Sequence, residues 1–167
     1  MRIGMVMLAL VALGRPALAE PGHEGPVLGG AFAITDQGVA GEVVAGYAHR
    51  WIAAAVWART LSDFLTEHTD EQKALGVAVR AWSVWSGWAG GGERFYLEAR
   101  VGANRRTLAD FEGDLHRGGG PIVGLAAGFE LVRFARFTID LRGGGDYTSV
   151  YEFEGMRWWA GLAATFY

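Results

Sequence analysis

The feature that most constrains this chain is a two-residue hydrophobic period. From Leu28 onward apolar side chains recur at every second position, in segments of about ten residues, the length a tilted strand needs to cross a bilayer. The clearest segment is Arg94–Ala103, where Phe95, Leu97, Ala99 and Val101 alternate with Arg94, Tyr96, Glu98 and Arg100. Pro121–Leu131 sets Val123, Leu125, Ala127, Phe129 and Leu131 against Gly124, Ala126, Gly128 and Glu130. Arg136–Arg142 sets Phe137, Ile139 and Leu141 against Thr138, Asp140 and Arg142. Leu28–Thr35, Val39–His49, Trp51–Thr60, Gly76–Ser86 and Arg157–Phe166 continue the series less regularly. Together they predict eight strands and an all-β chain.

The first twenty residues follow a different rule. Arg2, an apolar run from Ile3 to Leu13 and Ala17-Leu18-Ala19 before Glu20 have the layout of a secretory signal peptide. The expected organisation is therefore a signal peptide over 1–19, a loose lead over 20–27 and one domain over 28–167. No other apolar run is long enough for a spanning helix. With no cysteine the chain can form neither a disulfide framework nor a thiolate metal site. A net charge of −3, without a Lys/Arg run, gives no nucleic-acid footprint.

The links between segments alternate in length. His49-Arg50, Gly87–Gly92 and Val132–Ala135 are short or glycine-rich, whereas Leu61–Leu75, Asn104–Gly119 and Gly143–Met156 are long and polar. Short turns at one end and long loops at the other are the pattern of an up-and-down membrane barrel, with Asp36–Gly38 a very short first outer loop. A soluble sandwich or lipocalin-like barrel also has one apolar face, so alternation alone does not choose between them. The membrane reading is favoured by a single lysine, Lys73, by small residues paired with opposite charges on the polar faces, and by aromatics near segment ends (Tyr47, Trp51, Trp57, Trp85, Trp88, Trp158 and Trp159).

The sequence stops inside a strand, at Ala163-Ala164-Thr165-Phe166-Tyr167. In signal peptide, strand number, size and terminal aromatic it resembles the small eight-stranded outer-membrane barrels, the OmpA-like and OmpX-like families. The resemblance implies an eight-stranded antiparallel up-and-down transmembrane β-barrel in the cell outer membrane of a Gram-negative bacterium. It implies a monomer surrounded by outer-membrane lipid, with Phe166 and Tyr167 as the signal read by the barrel-assembly machinery. Phe166, Ala164, Leu162, Ala160 and Trp158 make a better apolar stripe than Tyr167, Thr165 and Ala163, one residue out of the family's register.

An eight-stranded barrel is just wide enough to be filled by side chains, so charges inside it must satisfy one another. The alternation turns Glu42, Arg80, Arg94, Glu98, Arg100, Glu130, Asp140 and Arg142 inward, four acids and four bases, and predicts an interior ion network. No catalytic, cofactor or metal site is expected. His68 and His116 fall in outer loops, His23 in the lead and His49 in a turn, and Ser149 is the one serine in the last loop. Asp110, Glu112 and Asp114 have calcium-loop spacing, but Leu115 and Pro121 occupy positions that an EF-hand gives to Gly and Glu. Gly118-Gly119-Gly120 is a turn rather than a phosphate loop. Alternation resuming at Tyr147, Ser149, Tyr151 and Phe153 suggests that strands seven and eight project beyond the membrane. The expected function is a non-enzymatic structural or surface-interaction role, with a lipid A-modifying enzyme, a small pore and a soluble periplasmic binding protein as alternatives.

Overall fold

The computed structural model describes residues 23–62, 70–82, 94–109, 114–150 and 153–167. These form eight strands: β1 (His23–Thr35), β2 (Gly38–Arg50), β3 (Ile52–Ser62), β4 (Asp70–Trp82), β5 (Phe95–Ala109), β6 (Leu115–Phe134), β7 (Phe137–Val150) and β8 (Phe153–Phe166). Each pairs antiparallel with the next, and β8 returns to β1 through Leu28↔Phe166 to Thr35↔Trp159. The sheet is therefore a closed, all-antiparallel, up-and-down transmembrane barrel.

The ladder also fixes the stagger. Partners followed from Thr35 run through Trp159, Gly144, Ala126, Glu98, Arg80, Ala53 and Ala48 to Gly25. The path comes back to β1 ten residues away (35 − 25). Eight strands with that stagger tilt by roughly 40° and leave a lumen that side chains can fill.

The polarity of the wall is the reverse of a soluble protein. Leu28, Phe32, Ile34, Val43, Val56, Val79, Leu97, Leu125, Leu141 and Leu162 point outward and are more than half exposed, while charged residues are buried within. A continuous apolar exterior around a charged interior is stable only where lipid covers the outside. At the lower rim Phe137 stacks on Phe134 and meets Phe166 at a tilt, and Trp158 and Tyr147 stand outward near the upper one.

Several boundaries differ from expectation. β1 begins at His23, so residues 23–27 of the expected lead are strand, drawn into the ladder by the length of β2 (His23↔Arg50). The outer links shrink because β5, β6, β7 and β8 continue as hydrogen-bonded hairpins above the lipid, where no apolar alternation is required to hold them. Residues 63–69, 110–113 and 151–152, with His68, Asp110 and Glu112, lie outside the described residues, as do 83–93. Among the described residues the β5–β6 hairpin outruns β7: it ends at Ala109↔Leu115, whereas the β6–β7 ladder stops at Ile122↔Thr148, while β4 keeps pace with β5 to Asp70↔Leu108. Three of the expected girdle aromatics face elsewhere: Trp57 and Trp159 are buried in the lumen, and Trp51 packs against the lower core.

Candidate functional site: the charged lumen

The lumen is built by the second of each residue pair along the strands. On β5 the inward set is Tyr96, Glu98, Arg100 and Asn104, and on β7 it is Thr138, Asp140, Arg142, Asp146 and Thr148; all are buried. β6 changes phase once. A bulge between Glu130 and Val132 leaves Leu131 unpaired and exposes two neighbouring apolar residues, after which Arg133 turns inward.

At the lower end Glu130 gathers three donors. Its Oε1 lies 2.8 Å from His23 Nε2 and accepts from the Trp82 indole N–H at 2.6 Å, and its Oε2 accepts from Arg133 Nε at 2.5 Å. His23 stacks on Tyr167 with ring centroids 3.7 Å apart, and Trp82 meets Tyr167 edge-on and Tyr96 at a tilt. This aromatic floor closes the mouth where β1 and β8 meet.

Above it a single chain of charge crosses the barrel. Asp140 Oδ2 accepts from the Tyr96 hydroxyl at 3.3 Å and lies 3.6 Å from Arg80 Nη1. Arg80 donates from Nε and Nη2 to Glu98 Oε2 at 3.1 and 2.9 Å, and from Nη1 to the Tyr167 hydroxyl at 3.2 Å. Arg100 donates to the other oxygen of Glu98 and, through Nη1, to Glu42 Oε2 at 2.9 Å. Glu42 Oε1 then accepts from Arg142 Nη2 at 2.8 Å. The path leaves β7 at Asp140, visits β4, β5 and β2, and regains β7 two residues on. Alternating signs let every charge have a neighbour of opposite sign, which is the condition for burying them at all.

Aromatic faces cover the guanidinium groups. Arg80 lies 4.1 Å from the Tyr96 ring centre, and Arg100 lies 4.8 Å from Trp159 and 5.3 Å from Trp57. Higher up, Arg59 approaches Asp146 Oδ2 at 2.6 Å, Asn104 donates to Thr148, and Arg157 donates to Gln72 and, at 2.5 Å, to Gln37. A cavity of about 20 Å³ beside Arg80, Glu98 and Tyr167 has room for a single water.

Of the eight residues assigned to the interior, Glu42, Arg80, Glu98, Arg100, Asp140 and Arg142 meet in this chain, and Glu130 anchors the floor below it. Arg94 does not join them: it stands half-exposed just before β5 and reaches the Leu131 carbonyl at 3.5 Å, because the bulge in β6 brings that carbonyl to the rim. Arg59, Asp146, Arg133, Arg157 and Tyr167 also face the lumen, beyond the eight that the alternation turns inward. Arg59 was in phase with inward Ala53, Ala55 and Trp57, a signal hidden by apolar residues on both faces of β3. Phe166 is turned to the lipid side and Tyr167 into the lumen.

Two small residues of this interior are enclosed. A Cβ on Gly128 would lie 2.2 Å from the Tyr96 ring, and one on Gly124 would lie 2.0 Å from Asp146 Oδ1. Both glycines are the floor on which a large neighbour rests. No histidine grouping suggests catalysis among the described residues: His23 serves Glu130, His49 is exposed beside Glu24, and His116 and Ser149 fall on opposite faces of the wall. No group of three or more His, Cys, Asp or Glu able to hold a metal ion occurs among the described residues.

No protein-family model and no curated protein matches the chain by sequence. Solved structures match it by shape. Neisserial surface protein A superposes with a TM-score of 0.66 at 15% identity, over 84% of this chain and 94% of that one. The N-terminal β-barrel domain of Pseudomonas aeruginosa OprF gives 0.53 at 13% identity, over 87% and 98%. Ail, the attachment invasion locus protein of Yersinia pestis, gives 0.53 at 11% identity, over 86% and 99%. The chain thus has the fold of the small eight-stranded outer-membrane β-barrels.

Proposed function

We propose that this protein is an outer-membrane barrel without enzymatic activity, whose role is structural or is surface interaction, adhesion or partner binding at its outer end. The observation that carries the reading is the pairing of a lumen packed with mutually neutralised charge with a β5–β6 hairpin that outruns its neighbour β7. The first fills the lumen with charged side chains that pair across it, and the second offers strand backbone with an unladdered edge from Leu115 to Gly119, above the point where Gly120 abuts Ser149 of β7, the kind of edge to which a partner segment can add. Similar structures of a surface protein and an attachment invasion locus protein support the same reading.

The membrane part is tested by expressing the full chain in a Gram-negative host, fractionating the envelope and running gels with and without boiling. The expected result is outer-membrane protein with a heat-shifted band; a soluble periplasmic product would overturn it. The interaction part is tested by replacing residues 107–117 with a two-residue turn. Such a barrel should still insert while cells expressing it lose adhesion to extracellular matrix; unchanged adhesion relative to wild type would reject the hairpin as the contact.

A further inference from the structure

We propose that Lys73, Arg105 and Arg117 form an external docking surface for the phosphates of an outer-leaflet glycolipid of the lipid A class, a reading that rests on the outer-membrane placement proposed above. All three side chains are exposed on the outside of the wall, not in the lumen. Lys73 on β4 stands directly opposite Arg105 on β5, and Arg117 on β6 is opposite Thr107, the next outward position beyond Arg105. Like charges directly across a ladder repel at close range. Every lower outward pair of β4 and β5 is apolar, from Leu75↔Ala103 to Ala81↔Leu97, so the change to cations is abrupt.

Glu71 offsets one charge through its 3.1 Å contact with Lys73, but Arg105 and Arg117 have no carboxylate partner among the described residues. Across the ladder Arg105 faces Gly119, which brings no side chain beside it, and Arg117 faces the neutral Thr107. The height matters most. β4 descends, so Lys73 stands two residues above Leu75, the uppermost lipid-facing leucine of that strand, and Arg105 and Arg117 lie above Val101 and Val123. Cations pointing sideways at that level meet the headgroups of the outer leaflet, where anionic phosphates would remove the repulsion. An extended polyanion approaching from above would instead select cations on the upward-facing loop tips.

The test uses the full barrel refolded in detergent micelles, its folded state read by the heat-shifted gel band and its lipid binding by native mass spectrometry. Bisphosphorylated lipid A should bind at least about tenfold more tightly than its dephosphorylated counterpart. Lys73→Gln, Arg105→Gln and Arg117→Gln together should abolish that preference while keeping the heat-shifted band. The charge-keeping set Lys73→Arg, Arg105→Lys and Arg117→Lys should retain most of it. Equal binding of both lipids, an unaltered preference in the glutamine variant, or full competition by millimolar inorganic phosphate would overturn the proposal. Failure of the wild type to give the heat-shifted band would instead reject the membrane reading beneath it.

Discussion

Arg100 illustrates how this interior is held. Its guanidinium donates to Glu42 on one side and Glu98 on the other, and two indoles, Trp57 and Trp159, cover its faces. Removing it leaves two buried carboxylates 58 and 2 residues away in sequence without their common cation. Deletion of one member of a buried ion pair typically costs about 3–5 kcal/mol, because the partner stays desolvated. Arg100→Ala should therefore lower the unfolding free energy by an amount within that range, read from urea titrations in lipid vesicles followed by tryptophan fluorescence. Lys at the same position should recover only part of the loss, since an ammonium cannot span two carboxylates in fork geometry. A variant as stable as wild type would show that the carboxylates find other donors.

At the scale of the strand, burial depends on two variables, the face and the depth. Leu125 is 70% exposed in the middle of the apolar wall of β6, and Leu115 is 56% exposed on the same strand ten residues higher, above the lipid. Both are outward leucines, yet only one meets hydrocarbon. Leu125→Arg should cost about 2–4 kcal/mol and Leu115→Arg close to nothing, measured as the shift in heat-modifiability or urea midpoint. Equal costs would mean that the wall is not covered by lipid at Leu125. The face was legible in the sequence wherever lipid imposes it, in Phe95–Val101, Val123–Phe129 and Phe137–Leu141. It was illegible above the hydrocarbon core: Gly143–Asp146 and Asn104–Ala109 carry ladder hydrogen bonds but little apolar alternation, so they read as loops and hid Asp146 and Asn104. The bulge at Leu131 was hidden for a different reason, since one extra residue reverses the phase without leaving a compositional mark, and Arg133 went unassigned with it. Gly124 shows a third limit, because small size in the sequence says nothing about whether Asp146 and Arg100 already fill the space above it.

At the scale of the molecule, the stagger of ten residues fixes a wall of given circumference, and the inward side chains must fill what it encloses. They do so in two stages. The floor of His23, Trp82, Tyr96 and Tyr167 closes the lower mouth, and the path Asp140–Arg80–Glu98–Arg100–Glu42–Arg142 bridges β7, β4, β5 and β2 above it. An ion entering from above meets cross-lumen pairs that must be broken before it can advance, and beside Arg80, Glu98 and Tyr167 a cavity of only about 20 Å³. Breaking two or more buried pairs at once is costly enough that spontaneous opening should be rare. Planar-bilayer recordings of the wild type should therefore be silent or nearly so at moderate voltage. The double variant Arg80→Ala and Arg100→Ala removes both cations that bridge Glu98 and leaves the wall intact, so it should show brief, small, cation-preferring openings as the freed carboxylates of Glu42, Glu98 and Asp140 line the path. Steady ohmic conductance from the wild type would show that the plug does not span the lumen, and would shift the function from surface interaction towards a pore.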